Sequence, residues 1–345
     1  MNNPTNRLTR ALFGLLLLTF AFAVAACGSD DSSESDAGGS AEAPTEVTIA
    51  YQAIPNGDLI VKHNKYLEDA FPDTKINWKL FDSGGKVNEA VTAGSVDIGL
   101  AGSSPVSRGL SQGIEYQVPW IHDVIGDAEA LVVKSDIGSI EDLKGKTIAT
   151  PLASTSDFSL RAALKDAGVD ANDVKIIDAE PDAIYSAWKR GDIDGAYVWN
   201  PNLAKIVDDG GKVLITSADL SEKGETTYDL AVVTNEFAEK YPAFLDGWAA
   251  QQDKAVKLIQ DDADAAAEAI AAELSIEPSE ALAQLKDLIF LNASEQVGAD
   301  YLGGGLGANL YKAAVFNKEL KQIPSTEDEQ HYKDAVNPAP AESVN

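Results

Sequence analysis

The chain has 345 residues, with 55 acidic side chains against 27 basic ones and a formal net charge of −28. A surface this acidic repels nucleic acid and anionic lipid at long range, so neither is expected as a direct partner. With a single cysteine no intramolecular disulfide can form, and His63, His122 and His331 are scattered without metal-type spacing, so packing must hold the fold and no metal is expected.

At the N-terminus Arg7 and Arg10 precede an apolar run over 11–26 that is broken only by Gly14 and Thr19, the two regions of a signal peptide. The run is shorter than the roughly 20 residues of a membrane span. The string Val24, Ala25, Ala26, Cys27 resembles a bacterial lipobox, which implies removal of residues 1–26 and lipidation of Cys27. Export with a lipid anchor on the outer face of the cell membrane is therefore expected. Residues 28–45 carry almost no side chain worth burying, so 27–45 reads as an anchored, flexible linker.

The folded part is expected from Glu46. VTIAYQ predicts a buried strand, the apolar spacing over 59–71 predicts a helix, and INWKLF predicts the next strand. Two later stretches echo each other: a helical VNEAVTA leads into Gly94-Ser-Val-Asp97-Ile98-Gly99, and a helical AIYSAWKR leads into Gly191-Asp-Ile-Asp194-Gly195. Each reads as a helix ended by a left-handed glycine and followed by a short strand. The strands run into GSSP (102–105) and YVWNP (197–201). Alternating strands and helices predict α/β architecture with largely parallel sheets, in which ligands gather beyond the carboxyl ends of strands.

EALVV (129–133) and DLAVV (229–233) read as paired crossovers between two lobes. The expected division is 46–133 plus 230–324 for the first lobe and 134–229 for the second. The C-terminal part, with WAAQQDKAVKLI and the Ala-rich DAAAEAIAAEL, is expected to pack as helices on the first lobe. A polar tail, 325–345, is expected to be loosely held.

A series of strings in order, VTIAYQ, FDSGG, GSVDIGLAGSSP, EALVVK, DLKGKTIATP, STSDFSLRAAL, AWKRGDIDGAYVWNP, GKVL and DLAVVTNEFAEKYP, resembles the substrate-binding proteins of ABC importers for taurine and related aliphatic sulfonates. The resemblance runs from Val47 to about Phe316 and fades after Asp253. It implies a bilobal, type II periplasmic-binding-protein fold of two α/β lobes on a two-strand hinge. It also implies a monomer without cofactor or catalysis that delivers a small sulfonate such as taurine to a membrane permease, and through it to an ATPase. Another alkanesulfonate, nitrate or a thiamine precursor is compatible with the same lobes. An enzyme acting on a small anion is the reading from outside the class; against it, no HExxH, CxxC, GxSxG or P-loop string occurs, and LGGGLG (302–307) does not follow a predicted strand.

Taurine joins an always-ionised sulfonate to an ammonium. Ser103 and Ser104, and Ser154, Thr155 and Ser156 ahead of the helix FSLRAAL, offer hydroxyl and helix N-terminal donors for the anion, although Ser and Thr there also serve as plain caps. Asp229 matches an acidic position of the family pattern and offers a carboxylate to the ammonium. Glu129 offers the same chemistry, while solvation at a strand end is the commoner fate of a lone acid. Trp199 offers a π face to a cation, Tyr197 being better suited to the core. Gln52, Asp82, Ser83 and Tyr228 follow from their positions relative to the family pattern.

Overall fold

The computed structural model describes residues 43–344. The expected signal peptide, Cys27 and linker residues 28–42 lie outside the described residues.

The strands are β1 (Glu46–Tyr51), β2 (Lys75–Leu80), β3 (Ile98–Gly102), β4 (Tyr116–Ile125), β5 (Glu129–Val133), β6 (Thr147–Thr150), β7 (Lys175–Asp178), β8 (Gly195–Trp199), β9 (Lys212–Thr216), β10 (Tyr228–Thr234) and β11 (Leu288–Ile289). They form two sheets, β11-β4-β10-β3-β1-β2 and β7-β6-β8-β5-β9. Both repeat one plan. In each, a first strand lies between two parallel neighbours, and an antiparallel strand, β10 or β5, separates the third strand from the fourth; the first sheet adds β11, antiparallel to β4, at its edge.

The sheets are therefore mixed rather than largely parallel, and the reason is the crossover. A strand that ends at the boundary between lobes runs toward it, whereas a strand that has just arrived from the other lobe must run away. That logic also moves the expected lobe boundaries. Glu129–Val133 pairs wholly within the second sheet, and Tyr228 and Asp229 pair within the first, so the chain changes sheets at 126–128 and again over 217–227.

The echo between the two halves has a hydrogen-bonded basis. Gly94 and Gly191 take φ of 66° and 76°, conformations that cost a side chain-free residue little. Three residues on, Asp97 Oδ2 accepts the Thr48 amide at 2.8 Å and Asp194 Oδ2 accepts the Thr147 amide at 2.9 Å. Each aspartate thus ties the entrance of a third strand to its parallel neighbour.

The helix expected over 59–71 is two, Gly57–His63 and Tyr66–Ala70, separated by Lys65 at φ 55°. Apolar periodicity does not register a single left-handed residue. Beyond 242 the chain is helical and packs on the first sheet, with Trp248 edge-on to Trp120 at 6.5 Å. The helix Gly305–Glu319 bridges both lobes: Leu306, Leu310 and Ala314 join the first core, while Phe316 meets Phe158 of the second at 4.9 Å.

The C-terminal tail is held, contrary to the expectation from its polarity. It forms helices Glu329–Asp334 and Ala339–Ser343, and Val336 bridges to Val118 of β4. Tyr332 is fully buried with its hydroxyl 2.7 Å from Ser111 Oγ. A few well-spaced apolar residues in a polar segment suffice to dock it when a complementary groove exists. Among the described residues no helix is long and apolar enough to cross a membrane.

Candidate functional site

A narrow pocket lies where the two sheets meet. Gln52, Gly84, Gly102 and Asp229 line it from the first lobe, and Glu129, Ser154, Thr155 and Trp199 line it from the second. The fold delivers them there because β1, β3, β6 and β8 end at this boundary and β5 and β10 begin at it. The helices Gly84–Thr92, Ser103–Ser111 and Thr155–Asp166 start at the pocket, so their positive dipole ends converge on it from both lobes. The lobes are pressed together: a Cβ on Gly102 would stand 2.5 Å from Thr155 Cγ2.

Two carboxyls face this space in different states of satisfaction. Glu129, 1% exposed, accepts hydrogen bonds from Thr155 Oγ1 at 2.6 Å, Ser156 Oγ at 2.8 Å, Ser217 Oγ at 2.8 Å and Ser159 Oγ at 3.4 Å. Burial pushes its pKa up and the hydroxyls oppose that push. The hydroxyls of Thr155 and Ser156, expected to serve a ligand anion, are thus committed to Glu129. Ser154 is the helix cap, its Oγ accepting the Asp157 amide at 3.2 Å, so at this cluster the backbone amides are what remain for an anion.

Asp229, 6% exposed, accepts no comparable set of donors. Burial and the charge of Glu129 push its pKa up to about 7. Among the described residues no lysine or arginine lines the pocket. Trp199 lies across from it on the second lobe, and Gln52 reaches the pocket while its Nε2 donates to Leu100 O at 3.0 Å.

The other residues singled out from sequence stand elsewhere. Ser103 Oγ accepts the Tyr228 amide at 3.2 Å, and Ser104 Oγ accepts from Asn317 Nδ2 at 3.3 Å; both side chains are taken up on the side of Gly305–Glu319. GSSP starts a helix, whose turn carries these side chains away from the pocket. Tyr228 is buried beside Tyr301 and Asp300, and burial pushes its pKa up to about 12. Asp82 is exposed, and Ser83 Oγ donates to Glu180 Oε1 across the lobes at 3.4 Å, outside the pocket. Tyr197 is core, as read, with its hydroxyl 3.2 Å from Ser217 Oγ.

Sequence reasoning passed over the apolar wall of Ile54, Ile125 and Leu288, the amide of Asn200, and Asp123 behind Asp229. The last had a signal: His122 and Asp123 interrupt an otherwise apolar run, and β4 is buried almost throughout. His122 Nε2 faces Asp58 Oδ2 at 3.7 Å, both nearly inaccessible, and burial depresses the histidine so that it packs as a neutral ring. Among the described residues no group of acidic, histidine or cysteine side chains could hold a metal ion.

The model of the NMT1-like family matches residues 40–275. The chain belongs to that family. It is 41% identical over 204 residues to the taurine-binding periplasmic protein of Escherichia coli (strain K12), a match covering 59% of this chain and 63% of that one, so it spans just under two thirds of that relative's length. Two solved structures share the fold: the periplasmic aliphatic sulphonate binding protein of E. coli, at TM-score 0.70 and 23% identity over 84% of this chain and 97% of that one, and the periplasmic nitrate-binding protein of Synechocystis PCC 6803, at TM-score 0.71 and 13% identity over 88% and 89%. The member of the NMT1-like family described here therefore has the bilobal periplasmic-binding-protein fold expected from its sequence.

Proposed function

We propose that this chain is the extracytoplasmic substrate-binding protein of an ABC importer and captures taurine between its lobes without turning it over. The observation that carries this reading is Asp229: a buried carboxyl with no cation of the protein beside it, in a pocket onto which three helix N-termini converge. Such a site is half complete for a zwitterion. The helix amides and dipoles suit a sulfonate, which stays ionised and needs donors rather than a proton relay. Asp229 suits the ammonium, with the Trp199 ring as a second, weaker attraction for the cation. The 41% identity to a taurine-binding protein supports the same ligand. Nitrate and simple alkanesulfonates lack the amine and would leave Asp229 buried and unpaired, a cost of about 1–3 kcal/mol or more.

In this reading Cys27 carries the lipid and 28–45 is the tether that keeps the lobes near the permease. Calorimetry with taurine, ethanesulfonate and nitrate, followed by recovery of the ligand, tests the proposal. One molecule of taurine bound and recovered intact supports it. Preference for nitrate or ethanesulfonate over taurine, or conversion of the ligand, would overturn it.

A further inference from the structure

Asp123 and Asp229 are directly opposed cross-strand partners in β4 and β10. Asp229 lines the pocket; Asp123, fully buried, lies behind it and does not. Among the described residues neither Asp123 oxygen has a partner at full hydrogen-bond geometry; the Asn56 amide, its Nδ2 otherwise unpaired, is the donor on that side and pulls the Asp123 pKa down. The two carboxyls lie within hydrogen-bonding reach of each other. The other ionisable groups around Asp123 are Glu129 at the start of β5, which adds negative charge, His122 beside it in sequence, and Asp58, which His122 engages. No lysine or arginine acts on the pair.

Two apposed, buried carboxyls without a cation cannot both be ionised; they share a proton, as interacting acid pairs do. The proton stays on the member whose ionisation is costlier, and the deeper one, Asp123, is cut off from solvent with only the Asn56 amide to oppose the cost of a charge. Building on the taurine reading above, we infer that Asp123 is a positioning residue that keeps the shared proton and donates a hydrogen bond through it to Asp229, holding Asp229 as the ionised member of the pair presented to the ammonium of the ligand. The pair then contributes one negative charge rather than two, and the carboxyl hydrogen bond fixes the oxygen of Asp229 that faces it. Burial pushes both groups upward; the charge of Asp229 lifts Asp123 further, well above the usual carboxylate range, while the hydrogen bond from Asp123 pulls Asp229 back down, in keeping with this division.

The pair can be tested without any ligand. In the purified full chain carrying 13C-labelled aspartate carboxyls, NMR between pH 5 and 9 should show one proton retained on Asp123 at pH 7 to 8 while Asp229 titrates. Two ionised carboxylates at pH 7 would overturn the inference. Calorimetry with taurine supplies the second arm. Asp123→Asn, whose amide can donate in place of the carboxyl, should bind within about threefold of the parent at pH 7.5, a difference below that of one hydrogen bond. Asp123→Leu removes the donor, so binding should fall about fivefold at pH 7 and recover as pH rises above 8, the signature of an Asp229 titration moved up by about one unit from about 7. An Asn variant as weak as the Leu variant, or a Leu variant with the parent pH profile, would overturn it. Should Asp123→Leu fail to fold, the Asn variant and the NMR titration still decide. If the parent protein ignores taurine, the functional reading fails while the titration continues to judge the pair.

Discussion

Gly102 at the end of β3 and Thr155 at the start of the helix Thr155–Asp166 belong to different lobes, yet a Cβ on the glycine would come within 2.5 Å of the threonine methyl. The backbone does not require glycine here: Gly102 has φ −65° and ψ 159°, open to any residue. What excludes a side chain is the opposing lobe.

Gly102→Ala should therefore leave the lobes folded and prevent them from closing fully. Taurine affinity measured by calorimetry should fall about tenfold or more, equivalent to ~1.4 kcal/mol, while the ligand-free melting temperature changes little. Adding Thr155→Ser removes the methyl but keeps the hydroxyl for Glu129, and the next atom, Thr155 Oγ1, would lie at an ordinary 3.5 Å. The double variant should recover most of the affinity. No recovery would show that the glycine acts in some other way.

Asp229→Asn should separate ligand from fold. Taurine binding should drop by roughly a hundredfold, in line with about 3 kcal/mol for a charge-assisted hydrogen bond, and ethanesulfonate binding should change much less. Equal losses for both ligands would remove Asp229 from the ammonium site. The ligand-free variant should also melt higher at pH 8, because an acid that burial disfavours has been replaced by a neutral amide.

The pH dependence has a definite sign. The Asp229 carboxyl is pushed up to about 7 in the folded protein, above its unfolded value of 3.8, so the unfolded chain gives up this proton first. Its contribution to stability is present below pH ~4 and is lost as pH rises through about 7. Affinity for an ammonium ligand runs the other way: protonation of Asp229 weakens binding as pH falls below about 7, approaching tenfold per unit. Denaturant melts and calorimetry between pH 5 and 8.5 give both slopes, and parallel slopes would contradict the assignment.

Glu129→Ala should destabilise the protein by about 2–4 kcal/mol, since the buried hydroxyls of Thr155, Ser156 and Ser217 lose a charged acceptor together. Glu129→Gln should cost less, because hydroxyls can turn and accept from an amide. Urea melts of the two variants check the order, and a reversed order would show that the charge itself opposes folding more than its hydrogen bonds favour it.

Truncation after Pro324 removes Tyr332, Val336 and Ala341, all in contact with the first core, and should lower the melting temperature by several degrees, on the scale of 2–4 °C per kcal/mol lost. An unchanged melt would mean that the docked tail contributes nothing measurable.

Much of the architecture was legible in the chain. Helix-ending glycines at 94 and 191, each followed three residues later by an aspartate, marked the two halves: the left-handed backbone favours the glycine locally, whereas the aspartate's partner on the neighbouring strand is seen only in the folded chain. Asp229 was legible as a candidate through its family pattern. The serines were not separable: Ser103, Ser104, Ser154 and Ser156 all precede or begin helices, and the direction in which each side chain leaves its first turn depends on what packs beside it.

The sequence by itself determined the alternation of strands and helices, the positions of the turns and the acidity of the surface, since these follow from period, backbone preference and composition within short stretches. Only the tertiary structure decided that β5 and β10 run antiparallel from the lobe boundary, that four hydroxyls drawn from two helices satisfy Glu129, and that Asp123 stands behind Asp229. Those relationships join residues dozens to more than a hundred positions apart, and the free energy of a buried charge depends on neighbours that no local pattern in the chain can specify.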